Sequence, residues 1–370
     1  MRRATVLAGV LLAFGCRQTV PLDAQLALGP SIQVANLEVW PVLASTTDEV
    51  GPVLTLEQAQ EQDCVVIREL SDAQVGSLAI ENRGDKRILA CAGTVVTGGK
   101  QDRQLGEDIV VDPQTTVSVK AFCVEPGRWI GSDRFRGTSL KTSAPVRAAG
   151  QYENNQRQVW CDVEVAQAAS IVPRGSYGSV KETADRRRAS VAKIEEHLRS
   201  QGESVVGYAY AIDGDAAGIR TFAHRALLEP RLQGFLQAMC VEAELRATGR
   251  KVDDRPGQEI NLVPSAYRPP AEDARIRERF NAEWRALMEQ IQSTAMAHPR
   301  ATPRAAARRR TPIDIPTLFR KLNATPERIV DTHGANRNGY RRAAEGNHSA
   351  CYVRTKDGRW VPLTRDWTAK

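Results

Sequence analysis

The chain runs to 370 residues, longer than one ordinary domain, with 42% hydrophobic and 26% charged residues and a mean hydropathy of -0.39. Those values exclude a chain dominated by membrane spans or by disorder and leave room for a core of normal size. Lys+Arg 51 against Asp+Glu 44 gives a net charge of +7, an excess too mild and uneven to mark a nucleic-acid binder by itself.

Residues 1–15 read as a signal peptide. Arg2 and Arg3 form a positive start, and the apolar run to Gly15 is shorter than the ~20 residues a spanning helix needs. Ala13-Phe14-Gly15 followed by Cys16 resembles a bacterial lipobox, which makes Cys16 the expected lipidation site of an envelope lipoprotein. The alternative is a secreted or periplasmic soluble protein. Residues 16–35 form a linker.

Residues 36–165 are expected as the β-rich half of the main domain. Short apolar or alternating runs at 37–42, 65–70, 77–80, 88–92, 109–111 and 116–123 read as strands, and 55–61 as one short helix. Asn82-Arg-Gly-Asp85, Gly98-Gly99 and Asp112-Pro-Gln114 punctuate them. The spacing predicts an α+β fold that begins with an antiparallel β-sandwich or open barrel.

Residues 166–298 form a helix-rich α+β half. A capping box at Ser179 and Glu182 opens a helix that carries Val191, Ile194 and Leu198 on one face and stops near Gly202. A buried strand at 205–212 turns through Asp213-Gly-Asp215 into 218–222. A helix with Leu232, Leu236, Met239 and Ala243 inward comes next, then another over about 270–298. Residues 299–312 are a Pro/Arg-rich linker with Arg300, Arg304, Arg308, Arg309 and Arg310. No aromatic residues interleave them, so no nucleic-acid partner is expected. Residues 313–370 read as a small C-terminal module whose β-hairpin turns at Asp357-Gly358.

Six cysteines remain after Cys16: Cys64, Cys91, Cys123, Cys161, Cys240 and Cys351. An even number in an oxidising compartment permits disulfides, and small buried hydrophobes are the equal alternative. There is no C-x-x-C and no H-E-x-x-H, so neither a metal site nor a cofactor is expected.

The densest polar groups lie in Gly98-Gly-Lys-Gln-Asp-Arg103 and Cys123-Val-Glu-Pro-Gly-Arg-Trp129. Gly98 and Gly99 let backbone N–H groups approach an anion, Lys100 and Arg103 supply charge, and Gln101 supplies a directional amide. Glu125 is the candidate acid or base, Arg128 can fork onto a carboxylate or phosphate, and Trp129 can stack. On the residues alone, a glycine turn with solvated charges and a surface Glu125–Arg128 pair is the simpler reading.

These two motifs, with Asn36-Leu-Glu-Val-Trp-Pro-Val42, Thr55-Leu-Glu-Gln-Ala59, Val66-Ile-Arg-Glu-Leu70 and Glu81-Asn-Arg-Gly-Asp85, resemble one bacterial family. It is the ARG and rhodanese-phosphatase-superfamily-associated protein domain, and the likeness covers about residues 36–246. Asp102 stands where asparagine is expected. The resemblance implies a ligand of nucleotide, ADP-ribose or phosphate type and names no reaction. The expectation is an exported protein that binds a small anion or a protein partner. The alternatives are a hydrolase of a phosphate- or ribose-containing bond with Glu125 as general base, and a structural interaction protein.

Overall fold

The computed structural model describes residues 19–20, 26–70, 76–125, 131–170, 184–247, 313–324, 327–330, 340–345, 347–355 and 358–368. In chain order come β1 (Thr19–Val20), β2 (Leu26–Leu28), β3 (Ile32–Val34), β4 (Leu37–Ala44), β5 (Val53–Leu54) and α1 (Leu56–Glu61). Next are β6 (Val65–Glu69), β7 (Ser77–Asn82), β8 (Arg87–Ala90), β9 (Thr94–Gly98) and β10 (Arg103–Leu105). β11 (Ile109–Val111), β12 (Thr115–Cys123) and β13 (Arg134–Lys141) complete the β-rich stretch. Helices α2 (Ala144–Gln151), α3 (Gln156–Ser170) and α4 (Ala184–Ser200) lead to β14 (Val205–Ile212), β15 (Asp215–Phe222) and α5 (Arg225–Ala247). The last elements are α6 (Ile315–Ala324), β16 (Glu327–Val330), β17 (Tyr340–Glu345), β18 (His348–Arg354) and β19 (Trp360–Thr368).

The fold is α+β with an antiparallel β-rich start, as the spacing predicts. The barrel, however, is closed, in the order β10-β12-β7-β6-β13-β9. Val117, Val119 and Ala121 of β12 point inward while Thr116, Ser118 and Lys120 face out, the period-two pattern of a half-buried strand. Ile67, Leu78, Ile80, Val96, Leu105 and Phe135 fill the interior with them. Closure depends on β9, β10 and β13, of which β10 and β13 are too polar to read as strands. The helix at 55–61 is present: Thr55 caps it, and Gln58 reaches back to the Thr55 N–H at 2.9 Å.

A ten-stranded sheet runs β1-β16-β17-β18-β19-β15-β14-β4-β2, with β3 also on β4. β14 is buried along its whole length because both faces are covered. Tyr208, Tyr210 and Ile212 join the cluster under α4 and α5, while Ala209 and Ala211 pack with Ile315, Leu318 and Phe319 of α6.

In the segment expected as a small C-terminal module, 313–370, β19 pairs with β15 from Gly218↔Thr368 to Phe222↔Thr364. An open β15 edge would be a pairing surface, and β19 covers it. One expectation needs correction, the disulfide alternative: Cys64, Cys91, Cys123, Cys161, Cys240 and Cys351 are free thiols, all buried except the half-buried Cys64. They serve as small core residues. Helices α2 and α3 extend the helical part back into what was expected as the β-rich half.

Cys16, the helix expected over 270–298 and the Arg-rich stretch at 299–312 lie outside the described residues. Among the described residues, no helix is long and apolar enough to cross a membrane.

Candidate functional site

The pairing of β10 with β12 places Arg103 opposite Cys123, so the two polar motifs meet at the end of both strands. Gly98 (φ +106) and Gly99 (φ +53) form the turn before β10. A Cβ on Gly99 would lie 2.1 Å from the Phe135 ring, so the second glycine is demanded by close packing in the barrel wall. The Gly98 N–H donates to Asp102 Oδ1 at 3.0 Å, and an asparagine would offer the same acceptor. The Asp102 N–H donates to Glu125 Oε2 at 3.0 Å, and the Gln101 side-chain amide donates to the Glu125 carbonyl at 2.9 Å.

Gln101 is fully buried and its Oε1 has no partner among the described residues. Arg103 is buried, pairs with Glu69 at 3.2 Å and lies 5.5 Å over the Phe135 ring. Lys100 is half-buried. Arg128 and Trp129 lie outside the described residues. The motifs thus come together as expected, but as a clasp whose groups hold one another. Gln101 and Arg103 point into the protein instead of toward a rim.

A second cluster sits where four elements converge. Arg220 on β15 donates from Nη2 to both oxygens of Asp108 at 2.6 and 2.7 Å, and from Nη1 to Asp366 of β19 at 3.1 Å. Asp108 also accepts from the Ala92 N–H at 2.7 Å and from the Thr364 hydroxyl at 2.6 Å. Arg147 of α2 lies 3.3 Å from Asp366 and donates to Thr368, while Tyr152 donates to Asp366 at 2.6 Å. Burial works against the Asp108 carboxylate, but Arg220 and these hydrogen bonds outweigh it and hold its pKa below the usual range. Every charge here has an opposite charge and a geometry that suits it.

A third cluster breaks that rule. A small cleft with enclosed room of about 10 Å³ is lined by Thr55, Glu57, Cys91, Ser139, Lys141 and Arg231 among others. Lys141 is the last residue of β13 and only 5% exposed. It has no hydrogen bond or ion pair among the described residues, and its ammonium lies 5.8 Å over the Phe235 ring. Burial pushes its pKa down; Glu57 in the cleft wall and Cys91 oppose that shift, and Arg231 and Arg220 add to it by smaller amounts.

Arg231 on α5 donates to the carbonyls of Leu227, Leu54 and Leu89 at 2.7, 3.0 and 3.2 Å, and burial lowers its pKa too. No carboxylate pairs with it among the described residues. Burial pushes the Cys91 thiol up, so the sulfur stays protonated. Glu57 in the cleft wall acts on both cations without forming an ion pair with either, so the cleft carries more positive than negative charge. Among the described residues no cluster of His, Cys, Asp and Glu could hold a metal ion.

The family model described as ARG and Rhodanese-Phosphatase-superfamily-associated Protein domain matches residues 25–301. The chain belongs to this family. No curated protein and no solved structure matches it. The clasp, Lys141 and Arg231 all lie within the matched stretch. Asp366, Thr364 and Thr368 lie beyond it, so the matched domain draws part of its buried charge network from the residues that follow.

The sequence reading missed the cleft. One signal was present: Arg231 stands midway between Leu227 and Phe235 at steps of four, a cation in the apolar stripe of α5. Lys141 left no comparable signal, since β13 is mostly polar, with Phe135 and Leu140 its large apolar residues.

Proposed function

We propose that this protein binds a small anionic ligand in the cleft between α1, β8, β13 and α5, with Lys141 and Arg231 as the cations that hold it. One observation carries the reading: two buried cations line one cleft with no ion pair to either among the described residues, against the single carboxylate of Glu57 in its lining. Buried charge without a counter-charge is costly, and a bound anion relieves it. The enclosed room of about 10 Å³ is far below that of a drug-sized ligand pocket and admits little more than the tip of a small anion. It therefore favours a phosphate- or carboxylate-sized group over a whole nucleotide or ADP-ribose.

Placing the ligand on the clasp would draw on groups already engaged, namely the Gln101 amide, the Arg103 guanidinium and the Glu125 carboxylate. The same engagement weighs against Glu125 as a general base. Titration of the full chain with inorganic phosphate, followed by calorimetry, tests the reading. Saturable binding that weakens about tenfold in Arg231→Gln, the loss of ~1.4 kcal/mol, is expected. Unchanged binding in that variant would overturn it.

The leader at 1–15 supports export, with Cys16 as the lipid-bearing residue. Cys16→Ser expressed in a Gram-negative host should lose palmitate labelling. Equal labelling of both forms would refute lipidation.

A further inference from the structure

We propose that Arg68, Arg134 and Arg136 form a binding face on the outer wall of the barrel for a compact ligand carrying more than one phosphate group. This face is separate from the cleft and does not depend on it. The strand register places the three side chains. β13 pairs with β6 so that Phe135 lies opposite Ile67 and Arg134 opposite Arg68. Phe135 and Ile67 are buried in the barrel interior, so the alternation turns Arg134 and Arg68 outward. Arg136, two residues further along β13, takes the same face and pairs with Thr97 of β9. The backbone beneath them is held in place. The Gly99 N–H donates to the Arg134 carbonyl and the Glu69 N–H to the Asp133 carbonyl, both at 2.9 Å.

Residues directly opposite on paired strands stand about 5 Å apart at Cβ, and residues two apart on one strand about 7 Å. Like charges so placed repel one another. Arg68 is half-buried, Arg134 and Arg136 are exposed, and none of the three guanidiniums makes a hydrogen bond or ion pair among the described residues. The nearby carboxylates do not answer them. Glu81 of β7 is held by Arg83 at 2.8 Å, and Arg68 acts on it without contact. Glu69 pairs with Arg103 at 3.2 Å. Glu61 follows the Gln60 that bonds to β13; it and Asp133 are exposed and make no ion pair with the three arginines.

A guanidinium is a planar fork of N–H donors, and a phosphate group matches it with several oxygens and a high charge. Three forks rooted within about 7 Å of one another suit an anion that engages more than one at once. Beyond Arg68 the row continues through Ala79 and Ser118, so no large side chain screens the face on that side. Glu61, Glu81 and Asp133 would be pressed against a broad anionic surface, whereas a compact anion touches the arginines alone. Arg68 also falls in Val66-Ile-Arg-Glu-Leu70, a motif of which the clasp uses only Glu69.

Calorimetric titration of the full chain with inorganic tripolyphosphate tests the proposal. The double variant Arg68→Gln, Arg134→Gln should weaken binding at least tenfold. The double variant Arg157→Gln, Lys193→Gln removes the same charge from exposed helical positions and should leave binding unchanged. Arg68→Gln also relieves the cross-strand repulsion, so the unfolding temperature should hold or rise, and misfolding does not account for the loss. The proposal is overturned if tripolyphosphate does not bind, if the control pair weakens binding equally, or if poly-glutamate binds more tightly. Binding that falls in Arg231→Gln but not in the Arg68, Arg134 pair would assign the anion to the cleft and also overturn it. Sedimentation with phosphatidylglycerol vesicles, run on Cys16→Ser chains, completes the test. Vesicle binding that needs the two arginines, without tripolyphosphate binding, would replace the compact ligand with a lipid surface.

Discussion

Two clusters of buried charge share one aromatic ring, since Arg220 lies 4.6 Å and Lys141 5.8 Å over Phe235. Around Arg220 the charges are matched: Asp108 and Asp366 face Arg220 and Arg147, and two threonine hydroxyls and a tyrosine take up further bonds. Around Lys141 and Arg231 the cations form no ion pair among the described residues, and Glu57 in the cleft wall acts on both without contact. Both clusters bear the desolvation of buried ions, yet only the first offsets it internally. A matched network fastens segments together. An unmatched one favours whatever brings the missing charge, and that difference separates a structural cluster from a candidate site.

Removing the last segment breaks the matched side most severely. A chain that stops at residue 312 loses Asp366, Thr364 and Thr368 and uncovers the β15 edge, so it should give insoluble protein or no cooperative unfolding transition. Tryptic cleavage among Arg300, Arg304, Arg308, Arg309 and Arg310 is a gentler version. The two fragments should co-elute on a sizing column until denaturant is added, and their separation in native buffer would show that β19 does not hold the body.

Asp108→Asn keeps the shape but leaves Arg220 short of a charge, and should cost about 3–5 kcal/mol in denaturant unfolding. By contrast, Lys141→Met removes a buried charge that makes no ion pair among the described residues. Its stability should match or exceed that of the parent, while phosphate affinity falls about tenfold. Should Lys141→Met prove as destabilising as Asp108→Asn, the contrast between the two clusters would collapse.

Both clusters should gain stability as pH rises, each in its own window. Asp108 has a folded pKa below its ordinary 3.8, so its contribution is complete above that value and disappears as pH falls through the lowered one. Lys141 has a folded pKa below its ordinary 10.5. Between the two values the unfolded chain binds the extra proton, so stability rises with pH across that window. Stability measured against pH should lose the alkaline rise in Lys141→Met and part of the acid fall in Asp108→Asn. The smallest effect is expected at the clasp. Asp102→Asn retains the oxygen that accepts from Gly98, so stability should change by less than about 1 kcal/mol.

Local pattern alone determined a good deal. The alternation of β12, the apolar run of β14, the cap at Thr55 and the hairpin of β18 and β19 are all written in neighbouring residues, because backbone geometry fixes which side chains share a face. The motifs at 98–103 and 123–129 sufficed to point to the family, and their meeting could be expected from strand ends on a common rim. Closure of the barrel could not be read in the same way. β10 and β13 are polar strands, and a buried Gln or Arg looks like a loop residue until its partner across the barrel is known. The role of each charge was also a tertiary matter. Arg220, Arg231 and Lys141 are equivalent cations in a sequence, and Asp366 lies 146 residues from the Arg220 it neutralises. Whether a buried cation is a fastener or a binding group depends on which carboxylates the fold brings within about 4 Å of it, because the interaction falls with distance and strengthens as water is excluded.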